Sequence, residues 1–359
     1  MIKHLRIANF QSADYALLAA LLFGASTPAA KVILGEVPPQ LLAGVLYLGS
    51  GLGLACLFIW RRFTVKTSQR EASIKVNELP WLIGAIIAGG IIAPVCLMFG
   101  LAITAASSAS LILNLEGVFT ALLAWFIFKE NFDRRILLGM ILILVGGGIL
   151  SWNGQAVGGH YSGGLLIAAA CFLWAIDNNL TRKISAADPI QIAVLKGLAA
   201  GCFNVIWFNM FAPIKISFSS LAIGGLIGFL GYGLSLVLFI ISLRKLGTAR
   251  TTAYFSTAPF MGAVLSIIFL HDHLTVSFWL AGICMTIGVW LHLTERHEHM
   301  HTHEAITHEH MHVHDEHHQH EHDPSESTDE PHSHVHTHKP ITHSHPHYPD
   351  IHHRHEHDN

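Results

Sequence analysis

Residues 115–139 read LEGVFTALLAWFIFKENFDRRILLG, and residues 257–281 read TAPFMGAVLSIIFLHDHLTVSFWLA. At a constant offset of 142, Gly117 falls on Pro259, Glu130 on Asp272 and Gly139 on Ala281. Each stretch is an apolar run, a short corner with one matched acidic residue, and the start of another apolar run. The corners differ in charge. KENFDRR holds three Lys or Arg, whereas HDHLT holds none. Lys and Arg collect on the cytoplasmic side of a membrane, so the two copies of the motif face opposite ways.

Working outward, the chain divides sharply. It has 359 residues, 52% hydrophobic and 13% charged, against about 25% charged in soluble domains. Ten apolar runs fall near 14–34, 39–60, 80–101, 107–128, 135–152, 161–181, 190–211, 221–242, 249–270 and 276–294. Each is long enough for a helix to cross roughly 30 Å of hydrocarbon. They lack the polar stripe of a soluble helix. After spans 2, 4, 6 and 8 come RRFTVKTSQREASIK, KENFDRR, TRKIS and LRKLGTAR, all basic. The opposite loops GEVPP, SWNGQAVGGHYSGG and HDHLT carry no Lys or Arg, and Lys215 is the main exception. Both termini are therefore expected in the cytoplasm, and no cleavable leader is expected in MIKHLRIANFQSADY.

The first and sixth spans also match in outline, LLAALLFGASTPAAK beside LLIAAACFLWAIDNN. Five spans per repeat is odd, so the second copy is inverted. The fold class expected is an all-α membrane protein of ten transmembrane helices, two inverted five-helix repeats with a disordered cytoplasmic tail. The domains read as an N-terminus 1–13, a first repeat 14–152, a linker 153–160, a second repeat 161–294 and a tail 295–359. Inverted repeats around a midplane site are a transporter architecture.

The segment SSASLILNLEGVFTALLAWFIFKENFDRRILLGMILILVGG resembles the fourth and fifth spans of EamA-type permeases, in the drug/metabolite transporter superfamily. GTARTTAYFSTAPFMGAVLSIIFLHDHLTVSFWLAGICMTIGV resembles their spans nine and ten. The resemblance covers 14–294 and implies ten helices around a central cavity. It implies solute transport without naming the solute, since members move amino acids, metabolites, nucleotide-linked compounds or drugs. The family often has Pro at the position of Gly117, and Gly-Glu where this chain has His271 and Asp272; both read as structural variation at helix ends.

Four ionisable residues fall within spans: Lys31, Glu116, Asp177 and Lys196. A charge at the bilayer centre costs at least about 2.5–3.5 kcal/mol, so such residues face a cavity or a partner. Glu116 reads as a proton-coupling or substrate-cation carboxylate, with a structural pair to Lys196 as the alternative. Asp177 shares less than a helical turn with Asn178 and Asn179, and the three cannot all enter one cavity. Lys196 offers an anion site or snorkels to the interface; Gly197 and Gly201 behind it permit close helix packing. Lys31, near an outer helix end, also has snorkelling as its plainer reading. Trp174 and Tyr254 are further candidates to line the path, with packing as the commoner role of such aromatics. Pro28, Pro94 and Pro259 interrupt spans where backbone often lines a cavity. The five cysteines lie in five different runs without ligand spacing and read as small buried hydrophobes.

The tail holds 23 of the 28 histidines, in alternating runs. His297, His299, His301, His303, His308, His310, His312, His314, His317, His318, His320, His322, His332, His334, His336 and His338 are the candidate metal ligands. Neutral imidazole suits Zn, Ni, Co and Cu. Without apolar periodicity the tail cannot build a core, so disorder and multiple loosely defined sites are expected. A metal site at His271 and His273 is less expected than ordinary hydrogen bonding at a helix end.

The function expected is a secondary-active permease exporting a small organic metabolite or amino acid, with the tail binding divalent metal. A divalent-metal transporter with the tail as acceptor or sensor is the alternative, and a membrane-anchored metal buffer without transport the second alternative. No G-x-x-x-x-G-K-[ST] loop and no nucleophile–base set is present, so neither an enzyme nor a cofactor requirement for transport is expected. The expected partners are the lipid bilayer, a solute and divalent metal ions, and no nucleic acid.

Overall fold

The computed structural model describes residues 12–64, 73–128, 134–152, 162–184, 187–212 and 216–293, and in the tail 298–303, 307–312, 332–337 and 341–346. The described elements of the membrane part are helices: α1 Ser12–Ile33, α2 Pro39–Thr64, α3 Leu79–Ala85, α4 Ala93–Ala102, α5 Ala106–Ile112, α6 Leu115–Phe128, α7 Arg134–Trp152, α8 Ser162–Arg182, α9 Pro189–Phe211, α10 Phe218–Gly228, α11 Ser235–Phe255, α12 Ala258–Leu270 and α13 Val276–Leu293. Among the described residues seven helices are long and apolar enough to cross a membrane, and three shorter apolar ones, Arg135–Ser151, Ala258–Leu270 and Val276–Leu291, complete ten.

The two repeats interlock. α1 packs on α11 and α12, and in the same way α8 packs on α4 and α6. The second spans of the repeats, α2 and α9, pack on each other, as do the last, α7 and α13. The α2–α9 seam depends on the absence of side chains: a methyl group at Gly197 would lie 2.7 Å from Gly51 Cα. That bears out the close packing read from Gly197 and Gly201. Gly224 and Gly228 pack on Leu42, Val45 and Leu46 of α2, within one chain.

Two features recur in both repeats, the first at the offset seen in the sequence and the second one residue from it. A π-helical turn, Ile86–Ile92, joins α3 to α4, and another, Phe229–Leu234, joins α10 to α11. Each ends with a bond five residues back, Ala93 N–H to Ala88 O and Ser235 N–H to Leu230 O. The donors are 142 residues apart, and so are the acceptors. The second feature is a break inside spans 4 and 9. Both were read as single runs, 107–128 and 249–270, yet turns at 113–114 and 256–257 divide them. Asn114 competes with helix through its side chain, which donates to Leu111 O at 3.0 Å. In the second copy the Thr257 hydroxyl takes Tyr254 O at 2.6 Å and Pro259 opens α12.

A further difference concerns LRKLGTAR, read as a loop. α11 runs through it without interruption, because Leu, Arg, Lys and Ala are good helix formers and one Gly does not outweigh them. In the tail, where disorder was expected, the described segments are paired strands: β1 Glu298–His303 with β4 Ile341–Pro346, and β2 Thr307–His312 with β3 His332–Thr337. His alternating with Thr, Ser, Glu or Met has the period of a strand even without an apolar face. Both pairs are antiparallel and share one register.

Candidate functional site

The break in span 4 sets the site. It places Glu116 in the first turn of a half-helix, α6, rather than in the middle of a continuous one. The positive end of the helix dipole there stabilises a carboxylate. The carbonyls that the break releases find side-chain donors. Besides Asn114, the Cys171 thiol of α8 approaches Ile112 O at 3.7 Å.

α8 then presents three polar side chains to three different partners. Asn178 Nδ2 donates to Glu116 Oε1 at 2.9 Å and to Thr120 Oγ1 at 3.3 Å. Asp177 accepts from Lys196 Nζ of α9 at 2.6 Å on both oxygens, and from Thr181 Oγ1 at 2.9 Å. Asn179 ties the helices together, donating to Ala175 O at 2.8 Å and Thr120 O at 3.3 Å. The three neighbours thus divide as their spacing required. Lys196 pairs with Asp177, not with Glu116 as the structural alternative had it. The pair is well buried, its side chains 18% and 7% exposed. Asn178 is exposed and Glu116 half-buried.

Aromatic side chains meet at Gly89, beside Asp177. Trp174 Nε1 donates to Gly89 O at 2.9 Å and lies 3.2 Å from the Tyr47 hydroxyl. Tyr47 stacks at a tilt on Tyr232, ring centres 5.7 Å apart, and Tyr232 meets Phe23 edge-on at 5.9 Å. The sequence reading named Trp174 but missed Tyr47, Tyr232 and Gly89. The repeat offset was the available signal, since it pairs Gly89 with Gly231 in matched turns.

Two candidates fall elsewhere. Lys31 Nζ donates to the carbonyls of Leu101, Ala102 and Thr104 at 2.6, 3.0 and 2.9 Å. It caps the C-terminus of α4, where a cation is favoured, and its ammonium is used there rather than on a solute. Tyr254, in the last turn of α11, is exposed and gives its carbonyl to Thr257. At the corner after α12, Asp272 accepts from Ser107 N–H at 2.8 Å and so joins the repeats. His271 caps α12 in the left-handed region, φ 54°, a conformation that favours glycine.

Among the described residues no three His, Cys, Asp or Glu side chains are placed to hold a metal ion. In the tail strands, His299 stands opposite His345, His301 opposite His343, and His308, His310 and His312 opposite His336, His334 and His332. His297, His314, His317, His318, His320, His322 and His338 lie outside the described residues, as does Glu130.

Comparison with known proteins agrees with this architecture. The profile of the EamA-like transporter family matches twice, over residues 13–152 and 161–294. An uncharacterized transporter of Methanothermobacter thermautotrophicus is 27% identical over 76% of this chain and 83% of its own. A probable amino-acid metabolite efflux pump of Salmonella typhimurium is 30% identical over 58% of this chain and 64% of its own. A protein of Escherichia coli with the same description is 25% identical over 77% and 93%. A crystal structure shares the fold with a TM-score of 0.57 over 79% of this chain and 96% of its own, at 17% identity.

Proposed function

Because the chain belongs to the EamA-like transporter family, we propose that its membrane domain is a secondary-active permease that exports a small organic metabolite, an amino acid or a close relative of one, between the two repeats. The observation that carries this is the charge balance at the centre. Among the described residues the site brings two carboxylates, Glu116 and Asp177, and one ammonium, Lys196, and Asp177 holds that ammonium with both oxygens. Among the described residues Glu116 has an amide for a partner. An uncompensated carboxylate deep in a membrane is costly unless it takes up a cation. A solute ammonium or a proton meets that need, and alternation between them couples export to proton entry. The descriptions of the Salmonella and Escherichia relatives support an amino-acid-like solute. At the position matching Glu116 the second repeat has Ala258, so the path carries its charge on one side.

The test is transport in proteoliposomes loaded with radiolabelled L-phenylalanine, L-leucine or L-threonine, with a proton gradient of either sign. Gradient-driven release that Glu116→Gln abolishes supports the reading. Release that keeps its rate and pH dependence in Glu116→Gln makes the carboxylate structural and overturns it.

The tail is the second part of the proposal. It binds divalent metal of the Zn, Ni, Co or Cu class in the cytoplasm, with both termini on that side. Its composition supports this, and so does the register that sets histidine opposite histidine at five positions. Binding weakens below about pH 6, where imidazole holds its proton. Equilibrium dialysis of the full chain against zinc, compared with a chain ending at Leu293, checks it. Equal zinc uptake by both forms removes the tail from the account.

A further inference from the structure

The stretch IIAGGIIAPVCLMFG, residues 86–100, contains the first π-helical turn and Pro94. The two features together leave one carbonyl without a backbone donor. In an α turn Gly89 O would receive Ala93 N–H, but that group bonds to Ala88 O. In a π turn it would receive the N–H of residue 94, and proline has none. An unpaired carbonyl within a bilayer costs several kcal/mol. Two side chains from other spans take it instead: the Tyr47 hydroxyl of α2 at 2.7 Å and Trp174 Nε1 of α8 at 2.9 Å.

The matched turn in the second repeat differs at one decisive place. Ser235 N–H goes to Leu230 O as Ala93 N–H goes to Ala88 O. The residue matching Pro94 is Leu236, which retains its N–H. The carbonyl of Gly231 therefore has a backbone donor within reach, and that of Gly89 does not. Pro94 converts a shared helical feature into a side-chain anchor in one repeat.

The anchor lies beside the proposed site. Trp174 is three residues before Asp177 and four before Asn178 in α8, so it neighbours each of them on that helix. A side chain at residue 89 would run into the Asp177 carboxylate. Gly89 thus does two things: its bare Cα admits the Asp177–Lys196 pair against span 3, and its carbonyl fixes the Trp174 indole and the Tyr47 phenol.

We propose that Gly89 is a positioning residue for solute binding, its Pro94-freed carbonyl holding Trp174 and Tyr47 as the aromatic wall against which the solute side chain packs. This rests on the reading of Glu116 as the solute-binding carboxylate. Flat, rigid faces in that place favour solutes with an apolar or aromatic side chain, since aromatic pairs add to area burial.

The experiment uses the full chain labelled with 5-fluorotryptophan in nanodiscs, with the Trp174 fluorine resonance assigned by its loss in Trp174→Phe. Pro94→Ala supplies the missing N–H and Tyr47→Phe removes the second donor. The expected result is a shifted, broadened Trp174 resonance in both variants. In the transport assay with L-phenylalanine, Pro94→Ala is expected to raise KM about tenfold with maximal rate within about twofold, since only the orientation of the wall changes. The double variant Pro94→Ala/Trp174→Phe is expected to be no worse than Trp174→Phe alone. A Trp174 resonance unmoved by Pro94→Ala overturns the anchor, whatever is transported. A moved resonance with unchanged KM overturns its role toward the solute. If the labelled amino acids are not moved at all, the transport reading fails while the resonance still decides the anchor.

Discussion

Asn178 of α8 donates to Glu116 of α6 at 2.9 Å, and it is a neutral donor. A cation in its place would neutralise the carboxylate for good; an amide orients it and leaves its charge available. Asn178→Asp is therefore expected to impair transport more than Asn178→Ala. Two carboxylates at this distance repel by several kcal/mol even at an effective dielectric of about 20, which forces a proton onto the pair. Amino-acid release measured at two pH values checks it. Asn178→Asp should lose more rate at high pH, and equal loss in both variants would show that the amide serves only packing.

The Asp177–Lys196 pair should behave as a buried ion pair. Lys196→Ala strands a carboxylate that is 7% exposed and is expected to cost about 3–5 kcal/mol. Replacing both, as Asp177→Leu with Lys196→Met, should cost far less. Thermal unfolding in detergent distinguishes the two, and a double variant as unstable as the single one would deny that the ions meet.

The α2–α9 seam predicts a contrast between two glycines. Gly197→Ala places a methyl 2.7 Å from Gly51 Cα and should destabilise by about 1–3 kcal/mol. Gly148 in α7 has nothing within 4 Å of the position a methyl would take. Gly148→Ala should stabilise by about 0.5–1 kcal/mol through helix propensity alone. Paired melting curves give the sign of each.

His271 holds φ at 54° as the cap of α12. A left-handed backbone costs an L-residue roughly 1–2 kcal/mol that glycine does not pay. His271→Gly is expected to raise the melting temperature without changing transport. A lowered melting temperature would show that the imidazole contributes more than its backbone strain costs.

Much of the architecture was legible from patterns that need only composition. Run length gave the ten spans, and the acidic corners Glu130 and Asp272 gave the offset of 142 that the π turns later repeat. The misses share one cause. A run such as 107–128 is apolar on every side, so hydropathy does not register a turn within it, and Asn114 is too small a signal amid Leu and Ile. The same blindness hid Tyr47 and Tyr232, which look like packing until the carbonyl at Gly89 is seen to lack a partner. Asp177 and Lys196 were read as separate candidates because their nineteen-residue separation crosses a helical corner that sequence alone does not close.

A π turn takes in one residue more than an α turn, and an α-helix advances about 100° per residue. Beyond Ile92, and again beyond Leu234, the third and eighth spans are therefore out of phase with their own beginnings. Each behaves as two helical faces spliced together, one aimed at one set of neighbours and the other at the next. Because both copies carry the same slip, it belongs to the repeat unit, and a periodicity computed over either whole span averages two directions into none.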